Sequence, residues 1–141
     1  MWLSFFINVL LVLAAVFIHY EVLTRIATVL PRLPIAAKPR LLVATLAALL
    51  AHVAEVWLFA FGYTLYLHIP GMGSLEGLVT GAWSDSVYFS FVNYTSLGLG
   101  DIIPVGHIRF LAGIEALTGL VLIAWTASFL FFEIQKSWKS L

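Results

Sequence analysis

The sequence predicts an all-α membrane protein with three transmembrane helices and one shorter helix that enters the membrane and turns back. Of its 141 residues, 62% are hydrophobic and only 10% are charged, whereas soluble domains carry about 25% charged residues. The apolar residues form runs long enough to cross the hydrocarbon core of a bilayer, which is about 30 Å thick. A further apolar run is too short to cross it. These observations together exclude an ordinary soluble fold.

The first span is predicted over residues 2–20, which carry only isolated polar side chains. We expect a loop over residues 21–40, because this segment contains three prolines, and proline interrupts helices. These are Pro31, Pro34 and Pro39. Residues 1–40 are therefore interpreted as an accessory N-terminal transmembrane helix followed by a cytoplasmic loop.

Two further spans are predicted over residues 41–66 and 108–133. Between them, the apolar and aromatic segment 83–95 has 13 residues, which would make a helix about 20 Å long. Because that length cannot cross a bilayer, we expect a re-entrant helix. A membrane tolerates such a segment only where it is buried in protein or lines a cavity.

The distribution of basic residues predicts the orientation of these spans. The 21–40 segment and the C-terminal tail hold six of the seven basic residues: Arg25, Arg32, Lys38, Arg40, Lys136 and Lys139. Because loops rich in Lys and Arg stay in the cytoplasm, we expect the N-terminus outside and the C-terminus inside the cell (inner) membrane. The net charge is zero and no long basic run exists, so no nucleic-acid partner is expected.

The segment Thr95 to Asp101, which reads Thr-Ser-Leu-Gly-Leu-Gly-Asp, follows the short helix directly. A selective potassium pore must replace the water shell of the ion, and a ring of backbone carbonyls does so without placing full charges in the pore. Carbonyls that successively point the same way need alternating left-handed backbone conformations, which Gly98 and Gly100 can adopt at little steric cost. The C-terminal dipole end of the preceding helix would favour a cation at the same place.

At these residues the chain resembles the potassium-channel pore-loop family, whose usual signature is Thr-Val-Gly-Tyr-Gly-Asp. The matching positions are Ser96 for the threonine, Leu97 for the valine, Gly98 and Gly100 for the glycines, and Asp101 for the aspartate. The resemblance extends from Trp83 through Pro104 and into the last span. The chain is similar to small bacterial two-helix channels, here with an extra N-terminal helix.

The resemblance implies a pore domain over residues 41–141. Its parts would be an outer helix (41–66), a pore helix (83–95), a filter (96–100) and an inner helix (108–133). One such loop supplies a quarter of a carbonyl ring, so a homotetramer is expected. Potassium ions would bind the backbone carbonyls of Ser96, Leu97, Gly98 and Leu99, with Asp101 at the outer mouth. No other cofactor is expected, and the remaining partners are membrane lipid and monovalent cations.

Three residues depart from the family pattern. Leu99 stands where the signature has tyrosine, Ser96 where it has threonine, and Val92 where some relatives carry a glutamate near the filter aspartate. The sequence thus predicts that two polar supports behind the filter are missing, each of which contributes about 1 kcal/mol. We expect a filter that collapses more readily or admits more sodium than a filter with these supports.

Charged residues inside spans are costly and are functional candidates by default. His52 and Glu55 are three residues apart on one face of the second span, and Glu115 lies in the third. One interpretation is a proton-sensing or gating cluster behind the filter. The other is structural, with Glu115 supporting the pore helix and His52 and Glu55 pairing between helices. A metal site of an intramembrane enzyme would also involve His19, but repeated Glu-x-x-His pairs are not present in the sequence.

Several residues of the inner helix are candidates for a hinge or a gate. Gly119 lies near the position of the family's hinge glycine, although glycine also serves close packing in membrane helices. Ile123, Ala127 and Phe131 follow Gly119 at helical spacing. Such apolar side chains could line the cavity and gate it by dewetting, or they could face lipid or another helix.

The expected function is therefore that of a potassium-selective cation channel that passes ions passively and catalyses no reaction. Two alternatives stay open at the level of the sequence. One is a channel-like regulatory or structural membrane subunit that does not conduct. The other is a proton-linked transporter or an intramembrane enzyme that uses His52, Glu55 and Glu115.

Overall fold

The structure is a computed structural model that describes residues 2–32, 34 and 36–138. Three long helices and one short helix make up most of it. In chain order the elements are α1 (Trp2–Val29), a 3-10 helix (Leu30–Arg32), α2 (Ala37–His68), β1 (Ser74–Gly77), α3 (Trp83–Tyr94), β2 (Ile102–Val105) and α4 (Ile108–Trp138). The three long helices are apolar and long enough to cross a membrane. The 12-residue α3 is only about 18 Å long.

The first helix continues well past the end predicted for it. It runs to Val29 instead of ending near Tyr20, and a 3-10 turn carries it on to Arg32. No glycine or proline interrupts the chain before Pro31, and the Glu21 carboxylate accepts a hydrogen bond from Arg25 one turn later, at 3.3 Å. The predicted loop over 21–40 is wrong where its residues continue α1 or begin α2, and in the described part of the chain the α-helices are interrupted around Pro31 and Pro34.

The second and third long helices also exceed their predicted bounds. α2 begins at Ala37 instead of residue 41. Pro39 is compatible with this earlier start, because it lies in the first turn, where backbone N–H groups have no helical acceptor and none is lost. α4 continues past residue 133 to Trp138. The bounds of α3 differ by one residue from the predicted 83–95. Lys139 of the predicted tail lies outside the described residues.

α1 packs on α2 with its polar side chains turned inward. Its buried face includes Ser4, Asn8 and His19, while its large apolar side chains are mostly exposed. Near one end of the pair, Tyr66 bonds to Ser4 Oγ at 2.8 Å and donates to Asn8 Oδ1 at 2.7 Å. The outer surface of α1 is thus suited to lipid, and its contact with α2 is specified by hydrogen bonds.

The fold is mostly helical with three candidate membrane spans, as predicted, and a short two-stranded antiparallel sheet that the sequence analysis did not predict is added to it. β1 pairs with β2 from Ser74 opposite Val105 to Gly77 opposite Ile102. Gly77 has φ of 101°, and a side chain there would collide with the Asp101 carbonyl oxygen. The glycines between residues 68 and 81 predict an exposed connection, and two of them, Gly73 and Gly77, also permit the close approach of the segments that contain the two strands. The ribbon holds the chain in place just after the predicted filter.

α3 lies between α2 and α4 and contacts both. The largest core cluster joins residues from all four helices, and aromatic side chains of α2 and α3 meet within it. The Tyr63 and Phe89 rings, for example, pack edge to face with centroids 4.9 Å apart. Because α3 is packed between α2 and α4, the position at which the segment after Tyr94 begins is fixed.

Candidate functional site

The predicted filter begins at the C-terminal end of α3 and is hydrogen-bonded to that end. The Thr95 hydroxyl donates to the Phe91 carbonyl at 2.8 Å. The next two amides turn back as well, because Ser96 N–H donates to Asn93 O and Leu97 N–H to Val92 O, both at 2.9 Å. These bonds use the carbonyls that a helix terminus otherwise leaves without partners, and they fix where the filter segment starts.

The backbone of this segment alternates in handedness. Gly98 and Gly100 have φ of 58° and 80°, and Ser96 has φ of 57°. The two glycines were expected to be left-handed, whereas Ser96 was not. It is the only non-glycine residue with positive φ in the described part of the chain, and strained backbone of this kind clusters at functional sites. The alternation allows successive carbonyls to point to one side.

The two leucines between these residues are left uncovered by their own chain. The Leu97 side chain is 63% exposed and the Leu99 side chain is 58% exposed. Neither glycine of the segment has an atom near enough to contact an added methyl group. In the single chain, residues 97–100 are therefore largely uncovered by the rest of the protein.

Asp101, at the end of the segment, is supported more fully than expected. Tyr88 on α3 donates a hydrogen bond to Asp101 Oδ2 at 2.6 Å, and Leu78 N–H donates to the Asp101 carbonyl at 2.9 Å. The bond to Asp101 raises the pKa of Tyr88, so its hydroxyl keeps the proton that it donates. The polar supports expected to be missing are those at positions 92 and 99, and the bond from Tyr88 is a different support, which the sequence analysis did not identify.

Glu115 is buried behind α3 and bonds to it. It accepts hydrogen bonds from Ser90 Oγ at 2.5 Å, from Asn93 Nδ2 at 2.9 Å and from the Tyr63 hydroxyl. Asn93 also donates to the Ala112 carbonyl at 2.6 Å. The structural interpretation of Glu115 requires contacts of this kind, since they connect α2, α3 and α4.

His52 and Glu55 belong to a second polar cluster, separate from Glu115. Glu55 is fully buried and lies between two histidines, with its carboxylate oxygens 3.0 Å from His19 Nδ1 and 3.1 Å from His52 Nδ1. It also accepts a hydrogen bond from the Tyr94 hydroxyl at the end of α3. The histidine of α1 is therefore a member of this cluster, whereas Glu115 is not.

The residues of the inner helix divide into three environments. Gly119 packs so tightly on the end of α3 that an added methyl group would collide with the Tyr94 carbonyl oxygen. Ile123 and Ala127 line an apolar pocket of about 660 Å³ between α2, α3 and α4, and Phe131 is exposed. Close packing at Gly119 is therefore observed, while a role for any of these residues as hinge or gate stays a prediction.

Sequence reasoning missed the polar partners on α3, although a signal was present. Ser86, Ser90 and Asn93 recur at spacings of four and three residues in an otherwise apolar, aromatic helix. Small polar residues on one face of a helix within a membrane protein indicate hydrogen bonds to neighbouring helices. The face was identifiable from this pattern, but its partners Tyr63 and Glu115 were not.

Comparison with protein-family models finds a match to an ion channel family. Residues 44–136, more than half of the chain, match the family model described as an ion channel. The matched region contains α3, the filter segment, most of α2 and almost all of α4, and it leaves α1 outside. No curated protein and no solved structure matches the chain.

Proposed function

The chain belongs to the ion channel family, as a member with a potassium-channel pore, and from this premise we propose that it forms a homotetrameric, potassium-selective cation channel. Ions would pass through backbone carbonyls of residues 96–100. The observation that carries the proposal is the alternation of left-handed backbone at Ser96, Gly98 and Gly100 directly after the end of a short helix. This combination offers a column of carbonyl oxygens at the negative end of a helix dipole.

The uncovered surfaces of the chain support assembly. Besides Leu97 and Leu99, the side chains of Leu117, Leu120 and Val121 on α4 are more than half exposed. A single segment also provides only part of a ring of ion ligands, and cyclic symmetry is the usual way for identical subunits to close such a ring. In a tetramer, neighbouring subunits would cover the filter leucines and surround a central pore.

The proposed orientation keeps the N-terminus outside and the C-terminus in the cytoplasm. Among the described residues, Arg25, Arg32 and Arg40 lie near the junction of α1 and α2, and Lys136 near the end of α4. Glu76, Asp85 and Asp101 lie in the connection between α2 and α4. This separation of charge agrees with the positive-inside rule and supports the proposal that the short helix α3 is a re-entrant pore helix that enters from the outer side.

Potassium flux into liposomes tests the proposal, with Gly100→Ala as the decisive variant. Left-handed backbone costs alanine about 1–2 kcal/mol, and four subunits would bear that cost in one filter. We expect purified wild-type protein to conduct potassium into the liposomes, and we expect the flux through the variant to be at least tenfold lower. The matched control is Gly71→Ala, because Gly71 has nearly the same φ, 78°, and equally open surroundings, but lies outside the filter.

The control variant should conduct like the wild type. Equal flux from the wild type and from protein-free liposomes would contradict the proposal and favour a non-conducting channel-like subunit. Equal flux from Gly100→Ala and wild type would show that ions do not pass through this segment. Cross-linking of the same samples should give a tetramer, and a monomer that conducts would contradict the assembly.

Selectivity is expected to depend on Tyr88. Tyr88→Phe removes one partly exposed hydrogen bond to Asp101, worth about 1 kcal/mol, so discrimination between potassium and sodium should fall about fivefold while the unfolding temperature falls by only a few degrees. Reversal potentials in mixed potassium and sodium measure this. Leu99→Tyr is the comparison variant, which we expect to discriminate better than the wild type because it restores a hydroxyl behind the filter. Unchanged reversal potentials in Tyr88→Phe would contradict a supporting role for this bond.

A further inference from the structure

Four helices meet at the cluster around Glu55. His19 comes from α1, His52 and Glu55 from α2, and the neighbouring Tyr94 and Thr126 from α3 and α4. One potential ligand atom from each of His19, His52 and Glu55 lies within 4.8 Å of the other two. No other group of three histidine or acidic side chains this close together occurs in the described part of the chain. The conduction pathway proposed above makes no use of this cluster.

We propose that His19, His52 and Glu55 bind a divalent transition-metal cation of the Zn²⁺ class. Two imidazole nitrogens and one carboxylate oxygen form a donor set that suits such ions. Potassium, magnesium and calcium prefer oxygen ligands alone, so the site would be chemically distinct from the filter. The inference does not depend on conduction.

The spacing of the ligand atoms suits the ion. Metal–ligand bonds of about 2.0–2.1 Å at tetrahedral angles place neighbouring ligand atoms about 3.3 Å apart. The Glu55 oxygens already lie 3.0 Å from His19 Nδ1 and 3.1 Å from His52 Nδ1. The first distance is to Oε1 and the second to Oε2, so each carboxylate oxygen faces one histidine. All three ligand atoms lie within 4.8 Å of one another, and small side-chain rotations would gather them around one ion.

The outer partners of the histidines suit the metal-bound state. Thr126 Oγ1 lies 3.0 Å from His52 Nε2 and 3.3 Å from His19 Nε2. When both rings bind metal through Nδ1, both Nε2 atoms carry hydrogen, and a hydroxyl oxygen has two lone pairs to accept them. Second partners of this kind orient metal-binding histidines in proteins. One threonine would therefore hold both rings in the ligating tautomer.

A fourth ligand and a route to the site are also available. The Tyr94 hydroxyl lies 2.9 Å from His52 Nδ1, where it or a water molecule could complete a tetrahedron. His52, Tyr94 and Thr126 line the apolar pocket of about 660 Å³, so an ion could reach the site from that side. His19 and Glu55 are fully buried. A bound ion would connect α1 to the base of the pore helix and to the inner helix.

The test uses the full-length protein in nanodiscs, stripped with chelator and then titrated with Zn²⁺ alone. After desalting, elemental analysis should find one zinc per chain in the wild type and none in His19→Gln or Glu55→Gln. Thr126→Val keeps every ligand and should weaken binding about 10- to 100-fold. The control is His68→Gln, since His68 is an exposed histidine bonded only to the Thr64 carbonyl among the described contacts, and it should bind like the wild type.

Cobalt substitution keeps the test decisive if a ligand variant fails to fold. Wild-type protein with Co²⁺ should show the intense visible absorption of a tetrahedral site, and one equivalent of Zn²⁺ should displace it. Absence of retained zinc in the wild type would overturn the proposal, as would equal retention in His19→Gln. Because bound metal is measured without ion flux, these outcomes are independent of whether the chain conducts.

Discussion

Gly119→Ala is expected to abolish stable packing of the inner helix against the pore helix. The new methyl group would collide with the Tyr94 carbonyl oxygen and lie only 3.0 Å from its carbonyl carbon and 3.1 Å from Cγ. Two of these atoms are backbone, so relief requires that a whole helix move. Overpacking typically costs about 1–3 kcal/mol, and a backbone collision belongs at the upper end of that range. The end of α3 and the filter would move with it.

The same helix provides the control for this substitution. Gly113 lies six residues earlier in α4, and an added methyl group there meets no atom within 4 Å. Gly113→Ala should be neutral or slightly stabilising, because alanine favours a helix over glycine by about 0.5–1 kcal/mol. Yield and thermal unfolding in detergent measure both variants. If Gly119→Ala unfolded at the wild-type temperature, the close contact with Tyr94 would be contradicted.

Glu115→Ala is expected to destabilise the pore domain by about 3 kcal/mol, since truncating a large buried side chain to alanine costs about 2–5 kcal/mol. The loss would not fall equally on the three donors. Ser90 keeps the Val56 carbonyl at 2.8 Å, and Asn93 keeps the Ala112 carbonyl. The Tyr63 hydroxyl donates to Glu115, so in the variant this buried hydroxyl would lose its hydrogen-bond acceptor. The removed side chain would also leave a cavity.

Two further variants make the measurement specific. Glu115→Gln keeps the volume and one acceptor oxygen, so it should lose less stability than Glu115→Ala. Glu133→Ala removes a glutamate from the same helix that pairs with the exposed Lys136 at 2.6 Å. Because the freed Lys136 stays in contact with solvent, the loss should be smaller than at Glu115, whose partners are buried. Equal unfolding temperatures for Glu115→Ala and Glu133→Ala would contradict a supporting role for Glu115.

The spans could be predicted from sequence because lipid imposes a simple requirement on length and polarity. Their ends could not, because a helix stops only where something stops it. The polar residues after Tyr20 have no helix breaker among them, so α1 continues to Val29. Pro39 is a breaker inside a helix but is tolerated in the first turn of α2.

The left-handed backbone of the predicted filter could be anticipated at Gly98 and Gly100 but not at Ser96. Gly98 and Gly100 indicate left-handed backbone by their chemistry, whereas Ser96 adopts it only because hydrogen bonds to the end of α3 hold it there. The hydrogen-bond partners in the polar clusters could not be predicted either, because they lie far apart in the sequence. Tyr63 and Glu115 are 52 positions apart, and no local pattern pairs them. Their partnership follows only from how α2 and α4 pack.

The inward-facing polar side of α1 constrains how the membrane protein is made. α1 emerges from the ribosome before α2, so Ser4, Asn8 and His19 would lack Tyr66 and Glu55 as partners if α1 entered the bilayer alone. Conversely, a chain begun at the family segment would carry Glu55 into the membrane with His52 and Tyr94 as partners but without His19. Part of the cost of a carboxylate within a membrane helix, about 2.5–3.5 kcal/mol, would then stay uncompensated. Insertion of α1 and α2 as a pair avoids both costs, so the added helix is coupled to the pore domain from the earliest step of biogenesis.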